Sequence, residues 1–286
     1  MSRIADLLRA GRTFSFEFFP PKTDAARETL EQTIAELSPL SPSFVSITYG
    51  AGGTTRTLTH DLVAKLRRES TITPMAHLTC VGHTRTEIDD ILAQYESVGV
   101  ENILALAGDQ PADPKDHRPT DYQYAIELVE QIRERESFSI GVAAHPEGHP
   151  RSVSRADDRK HLAEKLSRAD FGITQFFFEA RHYIQMMEEL VALGVNKPVI
   201  PGIMPVTNRA QVKKMAELSG AVFPSWLEER LATSEDPDVV RKIGVDAATE
   251  LCADLLASGA PGLHFYTMNK STATREVYLN LGLSQS

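Results

Sequence analysis

Short apolar or alternating runs, rich in β-branched and aromatic residues, recur along the chain with helix-periodic segments between them. The runs are Phe14–Phe19, Phe44–Tyr49, Pro74–Cys80, Asn102–Gly108, Ser139–His145, Gly172–Phe178, Val199–Met204 and Leu263–Met268. Runs of this length and make-up suit strands covered on both faces. Between them, segments such as Glu87–Val98, Tyr122–Arg133, Tyr183–Leu193 and Asp238–Leu256 place apolar residues at three- and four-residue intervals, the stripe of a helix lying on a sheet. The alternation predicts a parallel sheet with crossover helices, and eight strands predict a closed (βα)8 barrel of the TIM type.

The competing architecture is an open doubly wound sheet, which usually carries a glycine-rich phosphate turn after its first strand. Here that turn reads Phe19-Pro20-Pro21-Lys22, without glycine. No Pro/Ser/Gly-rich linker divides the chain, so residues 1–286 are expected to form a single catalytic domain. A short helical insertion is expected at Phe223–Pro237, before the eighth strand, with Trp226 anchoring it by burial.

The composition is that of a globular protein, with 286 residues, 42% hydrophobic and 24% charged. A formal charge of -9, with the 30 Lys and Arg scattered, argues against nucleic acid or anionic membrane as partner. The two cysteines, Cys80 and Cys252, have neither metal-knuckle nor redox-pair spacing, which suits a reducing cytoplasm. Charges at Arg3, Asp6 and Arg9 interrupt what a signal peptide would need as an apolar run.

In a (βα)8 barrel the chemistry occurs at the C-terminal ends of the strands, so polar residues there are the candidates. Glu17 stands in the otherwise aromatic run Phe16-Glu17-Phe18-Phe19, where a carboxyl must be paired, hydrogen-bonded or altered in acidity. That is the profile of a general acid, the alternative being a buried glutamate bonded to a neighbouring strand. The second strand runs into Thr48-Tyr49-Gly50-Ala51-Gly52-Gly53-Thr54-Thr55, a loop that could approach a ligand closely or simply turn. His77 and Thr79 share one strand face, and Gly108-Asp109 ends the fourth strand with a carboxylate able to accept N–H bonds from a heterocycle. His145-Pro146-Glu147-Gly148-His149 resembles a metal cluster, but its prolines fix the backbone and no further ligand follows at usual spacing, so no metal is expected. Gln175 lies in the apolar run Ile173–Phe178, where an unpaired amide would cost about 1–3 kcal/mol, and a ligand is a suitable partner.

Taken together these motifs resemble the methylenetetrahydrofolate reductase family. They are Phe16-Glu17-Phe18-Phe19-Pro20-Pro21-Lys22, Thr48-Tyr49-Gly50-Ala51, His77-Leu78-Thr79-Cys80, Gly108-Asp109, Ile173-Thr174-Gln175-Phe176-Phe177-Phe178, Pro201-Gly202-Ile203-Met204-Pro205 and His264-Phe265-Tyr266-Thr267, in the family's order over nearly the whole chain. The resemblance implies a (βα)8 barrel that reduces 5,10-methylenetetrahydrofolate to 5-methyltetrahydrofolate, usually through FAD reduced by NADH or NADPH. It implies Glu17 as the general acid, Asp109 and Gln175 as folate contacts, and Lys270, where the family has arginine, as a cation for the folate's glutamate tail. Thr48, His77, Gly108 and His145 fall at cofactor-side positions.

On the flavin side the chain departs from the family. Ala107 replaces an arginine that ordinarily contacts the flavin, His161 and Glu164 replace asparagine and arginine on the helix after the fifth strand, and Ala144-His145 replaces alanine–tyrosine, while Asp158 and Lys165 are kept. Losing bidentate donors and gaining a negative charge near a pyrophosphate should weaken FAD binding. The expectation is therefore hydride transfer directly from NADH or NADPH without bound flavin. The alternatives are the same reaction through FAD, a non-catalytic folate-binding barrel, or an unrelated barrel enzyme such as an aldolase. No fingerprint distinguishes the two nicotinamide donors.

Overall fold

The computed structural model describes residues 2–50, 55–110 and 113–283. The strands are β1 (Thr13–Phe18), β2 (Phe44–Ile47), β3 (Pro74–Thr79), β4 (Asn102–Leu106), β5 (Ser139–Ala144), β6 (Phe171–Thr174), β7 (Val199–Ile200), β8 (Gly202–Ile203) and β9 (Gly262–Tyr266). The helices are α1 (Ile4–Ala10), α2 (Asp24–Leu37), α3 (Arg56–Glu69), α4 (Arg85–Ser97), α5 (Ala125–Arg133), α6 (Arg155–Arg168), α7 (Ala180–Ala192), α8 (Arg209–Ser219), α9 (Ser225–Leu231), α10 (Pro237–Ala257) and α11 (Thr272–Asn280).

All the strand pairs are parallel, in the order β7-β6-β5-β4-β3-β2-β1-β9-β8. The two ends of that order, β7 and β8, are halves of one stave split at Pro201, so the sheet closes on itself as the (βα)8 barrel expected. Proline has no N–H to give to a ladder. Its carbonyl accepts from His264 N at 2.9 Å, and Gly202 N turns instead to Thr174 Oγ1 at 2.8 Å. A Cβ at Gly202 would lie 2.3 Å from Thr174 O and 2.5 Å from the Tyr266 ring, so only glycine fits this seam.

Three apolar clusters form. The largest joins the outer faces of the strands to the surrounding helices, as with Phe16, Val45 and Ile103 against Leu30, Leu92 and Tyr278. The second fills the barrel itself with Phe44, Met75, Leu104, Phe171, Ile173 and Ile200. Ile4 of α1 joins it and plugs the lower mouth. The first N–H groups of α1 have no helical acceptors, and Asn102 Oδ1 (2.8 Å to Ile4 N) and Ser139 Oγ (3.2 Å to Ala5 N) supply them. The third cluster packs Phe176, Phe178 and Met204 against α8, α9 and α10.

Two expectations are corrected here. The run Gly172–Phe178 leaves the sheet after Thr174, because Phe176 and Phe178 are drawn out of the ladder into the third cluster. The insertion at Phe223–Pro237 is held chiefly by Leu227 and Leu231, which are fully buried, whereas Trp226 is only partly buried with Arg230 over its ring. A seven-residue helix can turn only one narrow stripe inward, and two leucines four residues apart take it.

Candidate active site

A cleft of about 640 Å³ opens at the C-terminal ends of the strands. Glu17, Thr48, His77, Asp109, His145 and Gln175, named from the sequence on separate strands or strand ends, all line it. Gly108 and Lys270 stand outside the lining. Gly108 holds a left-handed turn (φ 82°), with its Cβ position 2.6 Å from Val81, and so shapes the bend that presents Asp109. Lys270 is exposed, just beyond Asn269, whose amide clasps Phe19 N (2.8 Å) and Phe19 O (3.0 Å) at the rim. Ala51, Gly52, Gly53 and Thr54 lie outside the described residues. A larger cleft of about 780 Å³ lies at the opposite end, among strand starts such as Val199 and Pro261, away from the face where barrel chemistry occurs.

Glu17 is 8% exposed and points inward from β1. Its Oε2 lies 3.4 Å from Ser46 Oγ, 3.4 Å from His77 Nε2 and 3.6 Å from His264 Nε2. The His77 contact is within range of charge attraction but is not aligned as a hydrogen bond, and among the described residues His77 Nε2 has no hydrogen-bond partner. Burial lowers the pKa of His77 to about 4, outweighing the attraction of Glu17, so the ring is neutral at pH 7. Tyr266 OH donates to Thr174 O at 2.5 Å, and its ring meets His264 edge-on.

Gln175 follows β6, where its backbone N–H still bonds Ala144 O at 2.8 Å. Its Oε1 accepts from Phe176 N at 3.0 Å, leaving the amide nitrogen as the donor toward the cleft. Asp109 is exposed at the cleft wall. His145 packs edge-on against His149, ring centroids 4.6 Å apart. Burial, then the neighbouring His149, lowers the pKa of His145 to about 3. Glu147, between them in sequence, turns away to accept from Val222 N and meets His182 at 3.6 Å. Among the described residues no three His, Cys, Asp or Glu side chains converge as a metal site.

The helix α6 runs past this wall. Asp158 is buried and accepts from His149 N (3.0 Å), Ser152 Oγ (3.3 Å) and Arg159 (2.5 Å). Lys165 donates to Ala143 O at 2.7 Å. His161 and Glu164 are exposed.

Sequence reasoning assigned no role to Ser15, Ser46, His264 or Tyr266. The period-two alternation of Leu263-His264-Phe265-Tyr266 would have placed His264 and Tyr266 on one face, opposite Ser15 and Glu17. The rim residues Met215, Leu218 and Ser219 come from α8 and carry no local sequence signal.

The family model described as methylenetetrahydrofolate reductase matches residues 3–282. The 5,10-methylenetetrahydrofolate reductase of Salmonella typhimurium is 36% identical over 271 residues, covering 94% of this chain and 90% of that protein. Methylenetetrahydrofolate reductase (NADH) 1 of Arabidopsis thaliana is 34% identical over 300 residues, 99% of this chain and 50% of the plant protein. Among solved structures, an uncharacterized protein from Clostridium thermocellum that binds two copies of 5-methyl-5,6,7,8-tetrahydrofolic acid shares the fold, with a TM-score of 0.68 at 14% identity over 99% of this chain and 98% of its own. The match over nearly the whole chain, on a barrel of the expected fold, makes this protein a member of the methylenetetrahydrofolate reductase family.

Proposed function

We propose that this protein reduces 5,10-methylenetetrahydrofolate to 5-methyltetrahydrofolate with hydride passed directly from NADH or NADPH, both ligands sharing the cleft. The observation that carries the direct route is the state of α6. The two residues kept at flavin-side positions are already committed, Asp158 to His149, Ser152 and Arg159, and Lys165 to Ala143 O. Of the replacements, Ala107 has no side-chain donor and Glu164 is an exposed anion, leaving the exposed His161 ring in place of two guanidinium groups and an amide. These residues do not fit FAD. The plant relative named for NADH supports a nicotinamide donor.

The imidazolidine ring of the substrate must open before hydride can reach its one-carbon bridge. A proton moves from the Glu17 carboxyl to N10, the C–N10 bond breaks, and an iminium forms at N5. Hydride from nicotinamide C4 then adds to the iminium carbon, giving the methyl group and the oxidised nicotinamide. Asp109 accepts from the pterin N–H edge and favours the developing positive charge, and the Gln175 amide orients the folate. Neutral His77 at pH 7 matters here, because an imidazolium 3.4 Å from Glu17 would pair with it as a carboxylate and leave no proton to give. Thr48, His77 and His145 form the wall for the nicotinamide, and Lys270 at the rim meets the glutamate tail. We assign the work to the cytoplasm, as both thiols are free and buried. Among the described residues no helix is long and apolar enough to cross a membrane.

Direct transfer requires a ternary complex with reacting carbons about 3–3.5 Å apart. Colourless protein giving intersecting double-reciprocal lines with NADH and methylenetetrahydrofolate is the expected result. Parallel lines with stoichiometric FAD would return the chain to a ping-pong flavin mechanism.

A further inference from the structure

His145, His149, Pro150 and Arg151, which all line the cleft, come from one loop between β5 and α6, and the groups that hold this loop lie outside the cleft. Arg159, in the second turn of α6, is 3% exposed, and all but one of its N–H groups are bonded. Its Nη1 donates to His145 O at 3.0 Å and to Asp158, and its Nη2 donates to Pro146 O at 2.5 Å. Its Nε donates to Glu189 of α7 at 2.6 Å, and Glu189 also accepts from Arg155 Nε at 3.0 Å. Burial works against the charge on Glu189, but the bonds from Arg159 and Arg155 hold its carboxyl below the usual range, so the pair is ionised at pH 7.

The loop is gripped at both ends. At its start, His145 O accepts from Gly148 N at 3.0 Å as well as from Arg159, which closes the turn carrying the His145 ring from two sides. At its far end, Asp158, itself bonded to Arg159, accepts from His149 N and Ser152 Oγ. Arg151 N donates to His149 Nδ1 at 3.1 Å, so the neutral ring carries its proton on Nε2. The rings of His145 and His149 rest on each other edge-on, and their placement therefore follows that of both ends of the loop. A buried guanidinium is costly to desolvate, and an aliphatic side chain would fill the space without that cost. Only the planar fork meets two carbonyls and two carboxylates at once.

We propose that Arg159 is a positioning residue for the dinucleotide: braced by Glu189, it fixes loop 145–151 as a preformed wall, so that NADH or NADPH meets the His145 and His149 rings already in place. The proposal rests on the reading that the nicotinamide, and not a flavin, lies against this wall. A loosened loop would have to be ordered by the dinucleotide as it binds, and that cost lowers its affinity. The folate side of the cleft, with Glu17, Asp109 and Gln175, is held by other elements, β1 and the ends of β4 and β6, and so escapes the effect. Arg159 thus acts on one ligand through the backbone that presents its wall, and touches neither.

The test uses the full chain with R159M, E189Q and the double variant. Calorimetry reads the binding of NADH, or of NADPH where the parent prefers it, separately from that of 5-methyltetrahydrofolate, and steady-state kinetics give kcat and both KM values. R159M should raise Kd and KM for the nicotinamide donor about 10-fold, with folate affinity within about twofold of the parent. E189Q keeps the shape and weakens only the brace, so it should raise the donor's KM about threefold in the same direction. It decides the matter alone if R159M fails to fold. In the R159M background E189Q should add nothing, because the two act through one clamp. An arginine that merely holds the fold together would lower the thermal midpoint and leave both affinities intact or lower them together. Either of those results overturns the proposal, while donor binding by the flavin-free parent would still support direct transfer. A parent that binds no nicotinamide donor until FAD is added overturns the direct-transfer reading itself.

Discussion

Lys165 gives a stability prediction that also bears on the flavin question. Its ammonium donates to Ala143 O, and desolvation lowers its pKa from 10.5 to about 8, with Asp158 only partly opposing. Each pKa unit is about 1.4 kcal/mol, so the charged form costs the fold about 3 kcal/mol at neutral pH. The folded pKa lies below the unfolded one, so the unfolded chain binds more protons between pH 8 and 10.5. Stability from this group must therefore rise across that window and be flat below it. In K165M the cost is absent at every pH, offset by loss of one charge-assisted bond of about 1.5–3 kcal/mol. At pH 7 the variant should range from equal in stability to the parent to a little more stable. Urea unfolding at pH 7.5, 9 and 10.5 reads the difference between parent and variant, and other titrations cancel in it. That difference should move by about 3 kcal/mol in favour of the parent as pH rises. Parallel stability curves would refute the argument and leave Lys165 uncommitted, free to face a bound pyrophosphate.

Three other outcomes follow from the geometry. D109A and Q175A should each weaken folate binding by about 1–3 kcal/mol, measured by calorimetry with 5-methyltetrahydrofolate, and unchanged affinity in both would place the pterin elsewhere. G202A puts a Cβ 2.3 Å from Thr174 O, and overpacking of about 1–3 kcal/mol should lower the thermal midpoint; a parental midpoint would show that the seam can widen. Cys80, its thiol raised to about 11 by burial, and Cys252, buried and raised further, should resist a thiol reagent at pH 8 until the chain unfolds, and rapid native labelling would contradict that packing.

The barrel was legible because each stave is buried on both faces and each helix on one, which writes two different periods into the sequence. Strand ends were less legible. Phe176 and Phe178 have the β-propensity of a strand but find better burial against α8 and α9, and that preference depends on residues far along the chain. Pro201 announces a break, yet only the structure shows its carbonyl bonding His264 N to complete the ring. At the site, Glu17, Asp109 and Gln175 each stand out as a polar residue in apolar or terminal surroundings. His264 and Ser15 do not, since a serine and a histidine in separate strands acquire meaning only when the barrel register sets them 2.7 Å apart.

The closure between β1 and β9 has a consequence for how the chain acquires activity during its synthesis. Ser15 and His264 are 249 positions apart, and the register that joins them links almost the first strand translated to the last. Local βα units can form as they emerge, but contacts this distant in sequence come late and slowly. Until β9 arrives, β1 is paired only with β2, so Glu17 lies on an edge strand without the His264 ring beside it and with one ladder open to other chains. A ribosome stalled short of residue 262 would therefore carry an incomplete ring prone to association, and the buried surroundings of Glu17 would not be assembled before the final stave is in place.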